Sequence, residues 1–356
     1  METVNERKKE PIILGIETSC DETAAAVVCG RKILSDEIAS SASVQALYGG
    51  VVPEIASRAH TDAIAEVVQE AIKKAGITYA DIDAVAVTYG AGLLGALLVG
   101  VSFAKAFAYA IGKPLIAVNH IRGHLAAAYL DEPSLKPPFV TWLASGGHTA
   151  ILYSPSETEF ELLGSTLDDA AGEAFDKVAR VLGLKYPGGP NIERAAKDGK
   201  PIIPMPKMLK GGGGYHFSYS GLKTAVINYC HTKEQKGEEY SKADVAASFQ
   251  SAAIDVLVEK TTAAALEKGV KTITVGGGVA ANTYLRERLK EKCDRLGLHL
   301  VLPQKRYCTD NAAMIASEGV IRYQRGEFAD LSLNAKASIP LSVTLQTPQA
   351  NNGKEK

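Results

Sequence analysis

Strand-like and helix-like patterns alternate along almost the whole of this chain, and no other feature of the sequence narrows the possible folds as far. A short apolar run over 12–16 gives way to helical periodicity over 62–75 and then to another strand-like run over 84–88. Repeated strand and helix predicts α/β architecture, with helices laid on sheets. At 356 residues the chain exceeds the usual reach of one hydrophobic core, so two lobes are expected. A proline-rich turn over 131–138 precedes a fresh strand at 139–144 and places the boundary there. The expected division is an N-terminal lobe, 11–134, and a C-terminal lobe, 135–340, with the last helix able to pack back on the first lobe. Residues 1–10 and 341–356 read as disordered tails.

Within that alternation, three turns stand out. The strand over 11–16 runs into the polar segment 17–23 (ETSCDET) and a second apolar run over 24–29, which reads as a hairpin with an acidic, hydroxyl-rich tip suited to a phosphate and its metal. Residues 89–95 (YGAGLLG) join a strand to a long apolar helix, and their glycines allow either close packing or backbone approach to a ligand. A second strand–glycine–helix unit covers 272–275, Gly276 to Gly278, and a helix from about Val279, and a last helix starts near Asp310.

Composition removes several function classes. The net charge of −1 gives no overall basicity, so any nucleic acid must be held by a local patch. The five cysteines are scattered and odd in number, which disfavours a disulfide framework or a zinc knuckle and fits a reducing compartment. No signal core and no membrane span are evident, so the cytoplasm is expected and a membrane partner is not.

His120 and His124, four apart, share a helix face at a spacing that suits a divalent metal, but two ligands do not make a site. Asp310 precedes the last helix, where a helix cap is the simpler role for it. Ile121 stands where a zincin would need Glu. Ser145, Gly146, Gly147 and His148 follow a strand in a turn able to present backbone N–H groups to phosphate. Residues 168–177 read as a helix with Asp169, Glu173 and Asp176 on one face, either solvated or facing ribose or metal-bound water. Gly276, Gly278 and Ala281 match a loose dinucleotide fingerprint, yet the acidic residue expected after the next strand is missing, so adenosine contact through Asn282 is preferred to nicotinamide chemistry.

Seven segments together, 17–23 (ETSCDET), 119–124 (NHIRGH), 145–149 (SGGHT), 168–180 (DDAAGEAFDKVAR), 217–224 (FSYSGLKT), 275–282 (VGGGVAAN) and 309–312 (TDNA), closely resemble one family. It is the universal tRNA N6-adenosine threonylcarbamoyltransferases, formerly called O-sialoglycoprotein endopeptidases, and the resemblance runs from about Pro11 to Pro340. It implies a two-lobed actin/Hsp70/sugar-kinase-like (ASKHA) fold with the active site in the interlobe cleft. It implies His120, His124 and Asp310 as ligands of one divalent metal, iron(II) with zinc as the alternative. Leu143, Ala144, Ser145, Gly146, Gly147, Asp176, Gly189 and Asn282 correspond to the adenylate site, and Glu193 to a ribose contact. Leu143 stands where archaeal relatives are expected to carry a tyrosine ligand, which points to the bacterial branch.

The implied reaction is attack by N6 of adenosine 37, in tRNAs that read codons starting with A, on the carbamoyl carbon of threonylcarbamoyl-AMP, with release of AMP. Asp21 or Glu22, in the hairpin tip, is the expected base or orienting group. The basic, glycine-rich stretch 207–223, with Tyr215, His216 and Tyr219, is the expected tRNA loop. The family also implies an inactive paralogue forming a heterodimer, a small P-loop ATPase and a separate enzyme supplying the adenylate. An Hsp70-like or sugar-kinase-like ATPase is the rival from the same fold, followed by a metallopeptidase and a non-enzymatic scaffold.

Overall fold

A computed structural model of the chain describes residues 10–48, 50–144, 147–209 and 214–340. The expected tails lie outside these residues apart from Glu10, as do Ser145, Gly146 and most of the four-glycine run. In chain order the elements are β1 (Ile12–Glu17), β2 (Glu22–Cys29), β3 (Lys32–Ser40), α1 (Ala42–Ala46), α2 (Pro53–Ala75), β4 (Ala84–Gly90), α3 (Leu94–Ile111), β5 (Leu115–Asn119), α4 (His120–Ala126) and α5 (Ala128–Asp131). The second half follows with β6 (Phe139–Ala144), β7 (Thr149–Ser154), β8 (Glu161–Ser165), α6 (Ala171–Val181), α7 (Gly188–Ala196), α8 (Ser220–Gln235), α9 (Lys242–Glu267), β9 (Thr272–Gly276), α10 (Thr283–Leu296), β10 (His299–Val301) and α11 (Ala312–Gln324).

The strands form two five-stranded sheets, ordered β3-β2-β1-β4-β5 and β10-β9-β6-β7-β8. Numbered within its own half, each sheet has the same order, and in each the first three strands are antiparallel while the fourth and fifth run parallel to the first. The molecule is thus a duplicated α/β unit, although no repeat is visible residue by residue.

Both faces of the first sheet are covered, which is why β1 is buried at every position. Leu14 and Ile16 face a cluster with Ile64 and Val68 of α2 and Val101 of α3, while Ile13 on the other face meets Ala312, Ile315 and Ala316 of α11. Gly15 makes that second contact possible, because a Cβ there would lie 2.4 Å from the Ala312 carbonyl and 2.7 Å from the Ala316 nitrogen. Helix α11 therefore follows the last strand of the second sheet yet packs on the first. Helix α4 does the reverse, its Ile121 and Leu125 meeting Leu143 and Leu152 of the second sheet. The two helices cross at Gly123, where a Cβ would come within 2.7 Å of Ile315 Cδ1.

Several elements start elsewhere than the sequence pattern suggests, for identifiable reasons. Helix α2 begins nine residues before the periodic stretch, opened by Pro53 in its first turn. Helix α6 begins at Ala171, because the carboxylate of Asp168 instead accepts from the Tyr219 and Ser220 N–H groups at the start of α8, at 2.7 and 3.3 Å. After β9 the chain makes a short 3-10 turn, Gly278–Ala281, with Gly277 at φ 85° before it, so the dinucleotide-type helix is not formed there. Gly92 in the first glycine segment serves packing: a Cβ would lie 2.5 Å from the Ser19 carbonyl in the hairpin tip.

Helix α3 is the one described helix long and apolar enough to cross a membrane by length and composition, with a mean hydropathy of 1.8. Here it is the crossover between β4 and β5 and buries Ala96, Leu97, Gly100, Val101, Ala104 and Ala108.

Candidate active site

The ends of β1, α4 and α11 converge between the two sheets. Asn119 caps α4, its Oδ1 accepting from the Ile121 and Arg122 N–H groups at 2.9 and 3.4 Å, and so His120 is the first helical residue. His124 follows one turn later on the same face. Asp310 does not cap α11. Asn311 does, accepting from the Met314 N–H at 2.9 Å, and this leaves the Asp310 carboxylate free to turn toward the histidines.

One oxygen of Asp310 lies 3.3 Å from His120 Nε2 and 3.4 Å from His124 Nε2, and the candidate ligand atoms of all three residues are within 4.8 Å of one another. Both nitrogens of His124 are buried without a hydrogen bond among the described residues. Leaving such atoms unsatisfied is costly, and a bound cation relieves the cost. Two imidazoles and a carboxylate are also the donor set expected for a divalent transition metal. The residues present fit that group.

Electrostatics agree with the geometry. Burial opposes charge on His120, but Asp310 and Glu17 outweigh it and raise its pKa well above the ordinary imidazole value. His124 is lowered, burial being the larger influence. Burial would raise Asp310, yet the two histidines hold it far below the usual carboxylate range. Cys20, the thiol of the hairpin tip, is pushed up by burial and by Asp310 and Asp21, which makes it a poor thiolate ligand or nucleophile.

The hairpin tip brings Asp21 and Glu22 toward this centre. Burial raises both carboxyls, Glu22 to about 7, with Asp310 adding to the shift of each. Glu22 Oε1 accepts from Ser40 Oγ at 3.0 Å, while its Oε2 is buried without a partner among the described residues.

A cavity of about 460 Å³ reaches Thr309, the residue before Asp310, and is lined also by Phe175, Asp176, Tyr186, Gly189, Glu193 and Asn282, among others. Asp176 Oδ1 accepts from the Gly188 N–H at 2.7 Å, and Glu193 Oε1 from the Thr283 N–H at 3.2 Å. Asn282 caps α10 through Leu285 N–H, 2.9 Å, and donates to Gln250 at 2.9 Å, so half of its amide's bonding capacity holds the wall together. Leu143 and Ala144 are sealed in the core and can offer a ligand only backbone. Gly147 is exposed with open space around it. Ser145 and Gly146 lie outside the described residues. A larger cavity of about 810 Å³ surrounds Arg31, Tyr129, Arg306 and Tyr307 and shares none of these groups, so size alone does not mark the site.

One expectation is corrected. Asp169, Glu173 and Asp176 do not form one acidic face: Asp169 precedes the helix and pairs with Lys177 and Lys223 at 2.5 and 2.6 Å, Glu173 pairs with Lys177 at 3.1 Å, and Asp176 alone enters the cavity. In the stretch expected to meet tRNA, Tyr219 is fully buried, Lys223 pairs with Asp169, Tyr215 donates to Glu267 at 2.5 Å and Lys207 is exposed, while 210–213 lie outside the described residues. Sequence reasoning missed Glu17 and His60. Glu17 is buried against His120, and His60 of α2 braces the hairpin through Thr23 Oγ1, 2.7 Å, and the Cys20 carbonyl, 3.0 Å. Glu17 lies inside the ETSCDET segment, but nothing local marks His60.

Two like-ordered sheets with a carboxylate–histidine centre between them define a two-lobed protein of the actin/Hsp70/sugar-kinase class. Among solved structures, full-length HypF in a phosphate- and nucleotide-bound form has a TM-score of 0.59 at 17% identity, covering 90% of this chain and 48% of that one. T. kodakarensis HypF also gives 0.59, at 16% identity over 91% of this chain and 49% of that one. At such identity the likeness concerns fold alone.

A family model described as tRNA N6-adenosine threonylcarbamoyltransferase matches residues 32–317. Proteins of that name from Clostridium botulinum (strain Kyoto / Type A2) and Moorella thermoacetica are each 53% identical, covering 94% and 95% of this chain and 99% and 100% of their own length. One from Geobacillus kaustophilus is 52% identical over 94% of this chain and 98% of its own. The chain belongs to the tRNA N6-adenosine threonylcarbamoyltransferase family, and its activity is acyl transfer in tRNA modification.

Proposed function

We propose that the chain binds threonylcarbamoyl-AMP in the cavity beside Asp176, Gly189, Glu193 and Asn282 and moves its threonylcarbamoyl group to N6 of adenosine 37 in tRNAs that read codons starting with A. One observation carries the assignment of the site: Thr309 lines the cavity, and Asp310, the next residue, sits against two buried histidines. On this reading the adenylate and the metal lie on either side of the Thr309–Asp310 step. His120, His124 and Asp310 would hold one divalent ion, iron(II) or zinc, both of which accept this donor set. When bound, the metal supplies a Lewis acid for a carbonyl or phosphate oxygen.

The chain's own residues do the rest. The cavity walls orient the adenylate, which replaces a chance encounter with a fixed approach. N6 forms a bond to the carbamoyl carbon, the bond from that carbon to the phosphate oxygen breaks, and AMP leaves. Asp21 or Glu22 takes the N6 proton; burial has already brought Glu22 close to the working pH of a general base. The inactive paralogue, the small P-loop ATPase and the adenylate-forming enzyme are partners proposed on the resemblance. The tRNA substrate and five free cysteines support a cytoplasmic setting.

The test is mass spectrometry of nucleosides from unmodified tRNA incubated with the chain, these partners, metal and preformed threonylcarbamoyl-AMP. Wild type should yield threonylcarbamoyladenosine, and His120→Ala should lose on the order of 100-fold or more in rate. No product from the metal-loaded wild type, together with ATP turnover by the isolated chain, would replace this reading with the ATPase.

A further inference from the structure

We infer that Glu17 is a positioning residue: it holds the His120 ring by Nδ1, so that Nε2 is the nitrogen offered to the metal. This rests on the metal reading above. Glu17 ends β1, has no exposed surface, and is fixed at both oxygens. Oε1 accepts from the Ser19 N–H at 2.5 Å, and Oε2 from the Thr88 hydroxyl. The same Oε2 lies 3.3 Å from His120 Nδ1. Among the described residues, His120 is the ion partner found for this buried carboxylate.

Ser19 Oγ also lies 3.2 Å from His120 Nδ1 and, as a hydroxyl, can accept there as readily as donate, so the carboxylate decides the tautomer. An ionised carboxylate only accepts hydrogen bonds, and its other two neighbours here, Ser19 N–H and Thr88 O–H, both donate to it. A ring that ligates a metal is neutral and carries one N–H, and beside such an acceptor that proton belongs on Nδ1. Nε2, the nitrogen 3.3 Å from Asp310, keeps its lone pair for the ion. His124 has no equivalent support: Asp310 approaches its Nε2 at 3.4 Å, and among the described residues neither nitrogen is hydrogen-bonded. The two histidines are thus unequal: His120 is preset, and His124 is fixed by the metal itself. Partners of this kind set ring orientation and ligand basicity, and losing one weakens metal binding by about 10–100-fold.

The experiment uses the full chain and zinc or cobalt alone, so it does not depend on transfer activity. Zinc affinity, measured against a chromophoric chelator, should fall about 10–100-fold in Glu17→Gln and further in Glu17→Ala, with the cobalt absorption spectrum of Glu17→Gln altered in position. Imidazole nitrogen NMR of the zinc-loaded wild type should show His120 protonated at Nδ1 and coordinated through Nε2, a measurement that needs no variant to fold. Coordination through Nδ1 overturns the inference, as does wild-type affinity in folded Glu17→Gln and Glu17→Ala. A wild type that takes up no metal overturns the metal reading and Glu17's role together, a result distinct from unchanged affinity in the variants.

Discussion

At the scale of single residues, His124 and Glu22 stand out in the candidate site, each with a buried polar atom that has no hydrogen-bond partner among the described residues. Glu22 keeps one carboxylate oxygen buried and unpaired, and burial lifts its pKa from 4.5 to about 7. The neutral form is therefore the one the fold favours. Its contribution to stability is complete below the unfolded value and is lost as pH rises through about 7. In metal-free protein, Glu22→Gln should gain on wild type by about 1–2 kcal/mol between pH 5 and pH 8, once solvent screening of a part-exposed group is allowed for. Denaturant melts at the two pH values check this. If Glu22 is also the base, the transfer rate rises with pH through the same window in wild type and is flat and low in Glu22→Gln. A rise that survives in Glu22→Gln assigns the proton to Asp21.

At the scale of elements, glycines decide how closely the site-bearing helices approach. Gly15 lets α11 lie on β1, and the two nearest atoms a Cβ would strike are backbone, which cannot swing aside. Gly15→Ala should cost about 3 kcal/mol in urea denaturation, at the upper end of ordinary overpacking. It should also weaken metal binding, because Asp310 rides on the start of α11. Helices α4 and α11 are further tied by the buried Arg122, which lies 3.8 Å from Glu318, itself 3.0 Å from Arg322. Arg122 sits between the two histidines in sequence and faces away from them, toward this ion pair and the Phe160 ring, 4.9 Å from its guanidinium. Glu318→Ala, by stripping a partner from two buried or nearly buried cations, should likewise cost about 3 kcal/mol, read in the same melts.

At the scale of the whole molecule, the duplication explains why the centre lies where it does. His120 follows the fifth strand of the first sheet, and Asp310 follows the fifth strand of the second. The helices that continue from those strands are exchanged between sheets, α4 against the second and α11 against the first. A metal held at the starts of α4 and α11 thereby staples the two halves. Metal at 100 times its dissociation constant should stabilise the wild type by about 2.7 kcal/mol, seen as a calorimetric shift of several degrees. Asp310→Ala should not respond.

The sequence by itself determined the α/β class, the hairpin with its polar tip and the strand at Phe139–Ala144, because apolar periodicity and turn chemistry are local and need no partner. Its seven ordered segments also carried the family. Tertiary structure alone decided the rest. Asp310 read as a helix cap until Asn311 was seen to cap the helix and release it. Residues 168–177 read as one helix until the contacts of Asp168 and Asp169 with α8 drew the start of α6 to Ala171. Glu17 read as one more polar turn residue until Thr88 and His120, from two other strand ends, closed around it. The repeat of the sheet order left no trace in the chain, since a sheet's order is set by which apolar faces meet and many sequences satisfy the same faces. Local pattern specifies elements, whereas a site depends on distances between residues remote in sequence, and only packing sets those.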